Sequence, residues 1–259
     1  MSTFEALVYG MVQGLTEYLP ISSSAHLILL PKFLGVEDPG LTFDVFLHFG
    51  TLFSTLIYFR KDWMSLLNFR EDKEARGLIL KLLLAMIPVM VVGLLFRDFI
   101  KTNLRGPEVL VYSLAIGGVL LWAVDHFFEQ RTDVEGLTFK GAFLIGVAQI
   151  FALIPGVSRS GSTITGGRAL GLDRTAAARF SFLLSAPVTG AAVVFEMRHL
   201  DELLTSQLTL WTLFVAGFSS FLFGWLAISG LLRLVRSRGY LSFGIYRILL
   251  AVVVGYTLT

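Results

Sequence analysis

Residues 4–34 read FEALVYGMVQGLTEYLPISSSAHLILLPKFL, an apolar stretch long enough to enter a bilayer but interrupted at its centre by Pro20 and three serines. A proline removes a backbone donor and stops the helix before it, while a serine just beyond favours the cap of a new one. The stretch therefore predicts two half-helices instead of one continuous span. Residues 137–170 repeat the pattern, with Pro155-Gly156 at the break and serines at 158, 160 and 162. Unwound backbone at membrane depth is tolerated only inside protein or beside a water-filled cavity. Both stretches are read as re-entrant helical hairpins.

The rest of the chain supplies the membrane setting. Of its 259 residues 55% are hydrophobic and only 15% charged, where a soluble domain carries about a quarter charged residues. Mean hydropathy is +0.74. Six stretches read as spanning helices: 44–59, 77–96, 107–128, 175–195, 208–229 and 243–259. The predicted fold is an all-α integral membrane domain covering 1–259, with six transmembrane helices and two re-entrant hairpins. A formal charge of +2 argues against a nucleic-acid partner, and the absence of cysteine excludes disulfides and thiolate metal sites. No cleavable leader is expected, because the N-terminus lacks a basic region and carries Glu5.

The chain also resembles itself. An offset of 136 residues, with no gap, pairs Ala6 with Ala142, Gln13 with Gln149, Ser22 with Ser158, Ser24 with Ser160 and Phe46-Leu47 with Phe182-Leu183. Each half, about 1–128 and 137–259, would then hold one broken hairpin and three spans. An odd number of spans per half places the halves in opposite orientations, an inverted-topology repeat. Ten loop Lys and Arg residues fall on one side, Arg60, Lys61, Arg131 and Arg236 among them; Arg97, Lys101, Arg105 and Arg198 fall on the other. The bias puts the first set in the cytoplasm, so the first hairpin enters from outside, the second from the cytoplasm, and the tips meet near the midplane.

The two tips carry the chemistry. Gln13 and Glu17, four apart, share a face of the first half-helix, and Ser23 and His26, three apart, share a face of the second. Ser22 and its neighbours sit at a helix start, where free N–H groups and the dipole attract anions. Ionisable groups at that depth are costly and mark a functional site. The second tip, PGVSRSGST from Pro155 to Thr163, sets Arg159 among Ser158, Ser160, Gly161 and Thr163 ahead of another helix start. A guanidinium fork with hydroxyl donors suits phosphate oxygens, although the spacing is not that of a P-loop. Weaker candidates are Asp44 with His48, read as a helix cap near the interface, Asp125 with His126 at a helix end, and His199 in a loop.

QGLTEYLPISSSAH and the Pro155–Thr163 string resemble the two signature motifs of the undecaprenyl-diphosphatase (bacitracin-resistance) family, and the likeness extends over the whole chain. It implies hydrolysis of undecaprenyl diphosphate to undecaprenyl phosphate and phosphate in the bacterial plasma membrane, with the site open to the outside. On this chain it implies Ser23 as nucleophile, His26 as its partner, Arg159 as the essential arginine and Ser158, Ser160 and Thr163 as flanking donors. A divalent cation and a homodimer are further implications. Two positions depart from the family pattern. Gln13 is neutral where a carboxylate is common, which weakens a two-carboxylate metal site, and Ala25 stands where glycine is common.

These readings combine into one expectation. Arg159 and the second tip hold the diphosphate, Glu17 and Gln13 hold Mg²⁺ or Ca²⁺ with oxygen ligands, and Ser23 attacks with His26 as general base. Attack by water or by His26 itself stays open. The rival from another class is an inverted-repeat transporter or lipid carrier, because broken helices with midplane charges also serve transport.

Overall fold

The protein is described from a computed structural model that covers residues 1–104, 106–129, 132–196 and 208–258. Arg105, Arg131, Arg198 and His199 lie outside the described residues.

Helix α1 (Thr3–Tyr18) opens with a capping box in which Glu5 N–H donates to Ser2 Oγ at 3.2 Å and Ser2 N–H donates to Glu5 Oε2 at 3.0 Å. It stops where Leu19 meets Pro20. Proline disfavours helical geometry in the residue before it, and Leu19 is extended at φ −68°, ψ 139°. The second break follows the same rule: α8 (Phe139–Ile150) and a short 3₁₀ turn at Phe151–Leu153 end at Ile154, extended at φ −82°, ψ 121° ahead of Pro155. Beyond each break one serine caps the next helix. Ser22 Oγ accepts from Ala25 N–H ahead of α2 (Ser23–Leu34), and Ser158 Oγ accepts from Gly161 N–H ahead of α9 (Arg159–Ala169). Ser22 and Ser158 also share a left-handed backbone, φ 72° and 73°, and are the non-glycine residues with positive φ among those described. That geometry costs of order 1–3 kcal/mol per residue and persists only where the surroundings impose it.

Besides these two broken segments the chain forms α3 (Leu41–Tyr58), α4 (Arg60–Leu66), α5 (Lys73–Leu95), α6 (Arg97–Asn103), α7 (Pro107–Phe127), α10 (Arg174–Glu196), α11 (Leu210–Arg238) and α12 (Leu241–Leu258). Five of these, α5, α7, α10, α11 and α12, are long and apolar enough to cross a membrane; the α3–α4 pair, bent by 73°, makes six if counted as one. α11 runs nine residues past the end expected for it at 229. Leu231 and Val235, four apart, still face the core there, and Arg236 and Arg238 suit the negative end of the helix. Large apolar side chains point outward along α5 (Leu83, Ile87, Val91, Leu94) and α11 (Trp211, Phe214, Phe218, Leu222). Apolar faces of that extent, on helices of that length, belong against lipid. The chain is a multi-pass membrane protein.

α1 packs along α11 at very short range, and two glycines permit it. A Cβ on Gly10 would sit 2.7 Å from Ser219 Cβ, and one on Gly14 would sit 2.7 Å from Gly224 N. Small residues at i and i+4 let helix backbones approach in lipid, where packing and interhelical hydrogen bonds replace the hydrophobic drive. Ser219 Oγ donates to Leu7 O and Ser220 Oγ to Leu47 O, each at 2.8 Å, so α11 holds both α1 and α3. α8 lies on α5, α12 on α7, and α9 is enclosed by α7, α8 and α10. The two broken tips therefore meet inside a ring of full-length helices.

Candidate active site

Glu17, in the last turn of α1, is the centre of the constellation and is buried. Its two oxygens face different elements. Oε1 accepts from Arg159 Nη2 at 2.8 Å, across from the first hairpin to the second. Oε2 accepts from Ser23 Oγ at 2.7 Å and from Gln13 Nε2 at 3.1 Å, and lies 3.5 Å from His48 Nε2 on α3. Arg159 is further held by Ser181 O of α10 at 3.3 Å. Behind the cluster Tyr18 OH bonds to Thr51 O and, at 2.6 Å, to Thr55 Oγ1, which fixes α1 against α3.

Other bonds sew one tip to the other. Ser160 Oγ donates to Leu19 O at 3.0 Å, and Gly156 N–H reaches Ser24 Oγ at 3.4 Å. A hydroxyl and a guanidinium fork thus each contact one carboxylate, which can take the proton of the hydroxyl. Ser23 remains half-buried, while Arg159 and His48 keep 14% and 29% of their side chains exposed, so the cluster can be reached. An apolar groove of about 400 Å³ lies between α1 and α12 and includes His26 and Tyr246; a second, about 420 Å³, runs between α3 and α11 past Phe46, Phe49, Phe53, Phe214 and Phe218, and no residue of the cluster lines it.

The sequence profile of the family described as bacitracin resistance protein BacA matches residues 6–253. The chain belongs to this family. Proteins named undecaprenyl-diphosphatase resemble it over almost their full lengths. That of Gemmatimonas aurantiaca is 46% identical, with 100% of this chain and 98% of the relative aligned. Those of Elusimicrobium minutum and Desulforudis audaxviator are 42% and 43% identical, each with 98% of this chain and 97% of the relative aligned.

In this BacA-family chain the residues singled out from the sequence fall into three groups. Gln13, Glu17, Ser23 and Arg159 come together as one hydrogen-bonded set. Ser22, Ser158, Ser160 and Thr163 are almost fully buried and their hydroxyls bind protein. Ser22 and Ser158 cap helices, Ser160 holds Leu19 O, and Thr163 Oγ1 bonds to Arg159 O and Ser181 Oγ at 2.9 and 2.6 Å. Gly161 N–H is taken by Ser158 Oγ at 3.1 Å. Buried hydroxyls find partners because an unpaired one is costly, so these residues shape the tip around Arg159.

His26 forms the third group. Its Nδ1 bonds to Ser22 O and its Nε2 to Tyr246 OH, each at 2.7 Å, and the ring stacks on Tyr246. Both nitrogens are thus engaged away from Ser23, and the proton of Ser23 points at Glu17, where the sequence led us to expect His26.

His48 is the residue that sequence reasoning placed elsewhere. Read as a cap near the interface, it lies two turns inside α3, with Nδ1 on Asp44 O at 2.8 Å and Nε2 turned to Glu17. The signal was present, since a histidine in an apolar span deserves the same suspicion as Glu17. What hid it was the helix start, which lies at Leu41 and not at 44.

The donor set bears on the cation that the resemblance implies. Among the described residues no group of three His, Cys, Asp or Glu side chains could hold a metal ion. Gln13 Oε1, however, is buried beside Glu17 with no hydrogen-bond partner. Gln13 and Glu17 fit a hard cation as two oxygen ligands, with the remaining ligands supplied by a bound phosphate ester or water.

Proposed function

We propose that the protein hydrolyses undecaprenyl diphosphate, or a closely similar polyprenyl diphosphate, to the monophosphate and inorganic phosphate. The observation that carries the reading is the hydrogen bond from Ser23 to a carboxylate whose other oxygen is held by Arg159 from the opposite hairpin. Relatives named for this activity align from end to end.

The reaction runs in two displacements. Arg159 turns from Glu17 to the oxygens of the terminal phosphate and offsets charge as the transition state forms. Ser23 Oγ bonds to that phosphorus in line, the P–O bond to the polyprenyl phosphate breaks, and the Ser23 proton passes to Glu17 Oε2. Glu17 gives that proton to the departing polyprenyl phosphate and is a carboxylate again; water then attacks the serine phosphate, and its proton passes through Glu17 to Ser23 Oγ as the P–Oγ bond breaks, which releases phosphate and returns Ser23 to its hydroxyl. His48 steadies the carboxylate from α3. His26 orients the tip through Ser22 O and closes the groove toward α12 with Tyr246. A cation bound by Gln13 and Glu17 would neutralise diphosphate charge. The apolar groove between α1 and α12, lined by Val12, Leu15, Leu19, Ile21 and His26, suits the prenyl tail, whose apolar length gains nothing from water.

The same proposal covers the setting. The two halves form an inverted repeat, supported by the shared backbone and caps of Ser22 and Ser158, 136 residues apart. The first hairpin opens to the outside of a bacterial plasma membrane, on the charge bias of the loops, and two copies pair in the membrane, on the family resemblance.

Phosphate release by purified protein in detergent tests the function. A transporter or lipid carrier needs sealed compartments and would release none. Comparing short and long polyprenyl diphosphates, with and without excess chelator, reads the tail groove and the cation in one experiment. Full activity in chelator removes the cation.

A further inference from the structure

Arg247, on α12, is 1% exposed and has no carboxylate partner among the described residues. Its guanidinium is spent on backbone carbonyls. Nη1 donates to Pro20 O at 3.5 Å and Nη2 to Gly156 O at 3.0 Å; Nη2 also reaches Ser113 O at 3.1 Å, and Nε reaches Leu114 O at 3.3 Å. Pro20 and Gly156 are the residues at which the two hairpins break, and they stand 136 apart, the offset that pairs Ser22 with Ser158. The same offset pairs Arg247 with Val111, so a single arginine serves both tips. A buried charge without a counter-ion is expensive, and an apolar side chain of similar volume would pack more cheaply. Five N–H donors in a rigid fork give what an apolar side chain cannot, a fixed separation between carbonyls from two different chain segments.

We propose that Arg247 is a positioning residue for phosphate transfer. By tying the Pro20 and Gly156 carbonyls to each other and to α7, it sets Ser23 and Glu17 on one broken helix against Arg159 on the other. Misplacement of reacting groups by about 1 Å can cost about 10²-fold in rate, and no other side chain bonds to both break-point carbonyls among the described residues. Gly117 on α7 fits this role, because a Cβ there would come within 2.7 Å of the Arg247 guanidinium carbon.

The inference rests on the phosphatase reading of the site, and the test separates the two. Wild-type phosphate release is measured first, and its absence sinks that reading. Backbone hydrogen exchange of the same protein in detergent then reads the clamp independently of activity. In Arg247→Lys, which keeps a charge but loses the fork, exchange should rise about tenfold in both 19–25 and 154–161 while the full-length helices stay protected. Its kcat should fall about 100-fold with KM changed less than about threefold, because Arg159 still binds the phosphate. Arg247→Met should be lower still, and Gly117→Ala should reproduce the lysine pattern with Arg247 in place. The proposal is overturned if these variants keep kcat within about threefold of wild type. It is equally overturned if exchange rises at one tip or neither, or if activity falls only in proportion to folded protein.

Discussion

Two buried carboxylates face arginines in this molecule, and they differ in what remains unspent. Asp125, near the end of α7, accepts from Arg168 Nε at 3.0 Å, from Arg174 Nε at 2.8 and 3.1 Å and from Tyr240 N–H at 3.1 Å. The rest of the Arg168 guanidinium goes to Leu172 O, Asp125 O and Phe128 O. Every partner is another piece of the fold, and the cluster fastens the end of α9 to α7, α10 and the turn before α12. Glu17 is as deeply buried, and each carboxylate has one partly exposed arginine, Arg159 at 14% and Arg174 at 29%, yet the partners of Glu17 also include a serine hydroxyl and a reachable histidine. A buried ion pair is therefore no sign of a reactive site by itself. A nucleophile on the carboxylate makes the difference.

The comparison breaks most sharply at Ser23. Ser23→Ala should lower phosphate release by about 10³-fold or more, with an unchanged melting profile, since only the attacking oxygen is lost. Near wild-type turnover would remove the serine nucleophile. Arg159→Ala should cost about 10²–10³-fold in kcat/KM, because one charged donor aimed at a developing anion carries roughly that much. Arg159→Lys should recover little, an ammonium having no planar fork.

Asp125→Asn should move the other quantity. Stability falls by about 3–5 kcal/mol because Arg168 is left buried without its counter-ion, read as a lower thermal midpoint in detergent. Turnover per folded molecule stays near wild type, and a specific loss of kcat there would erase the contrast between the clusters. The smallest effect is expected at His48. His48→Ala should lower turnover about tenfold, and His48→Gln, which can still donate toward Glu17, should recover part of it. A loss at His48 as deep as that at Ser23 would place the histidine in the chemistry itself.

Much of this was legible in the chain. Pro20 and Pro155 announce the breaks, because proline acts on its immediate neighbour and needs no tertiary context. Serine caps and apolar length are equally local, so the two breaks and most helix bounds could be drawn before any packing was known. The contact of Glu17 with Ser23 was half visible, since both belong to one motif. Which base faces Ser23 was not: Glu17, Ser23 and His26 sit on two half-helices, and the φ of 72° at Ser22 decides how those halves turn toward each other. The residues on either side of it are held from the second broken segment, through Leu19 O and Ser24 Oγ.

Long-range partners were invisible for the same reason. His48 reaches Glu17 only because Gly10, Gly14 and the serines of α11 draw α1 and α3 together. Arg247 looked like one arginine in a terminal span until the fold placed two break-point carbonyls in front of it. The sequence by itself determined where this chain bends, which segments prefer lipid and which residues bring charge to the bends, since propensity and hydropathy act over a few residues. Only the tertiary structure decided which charge meets which hydroxyl, because that depends on distances between segments more than 130 residues apart, set by the packing of the helices around them.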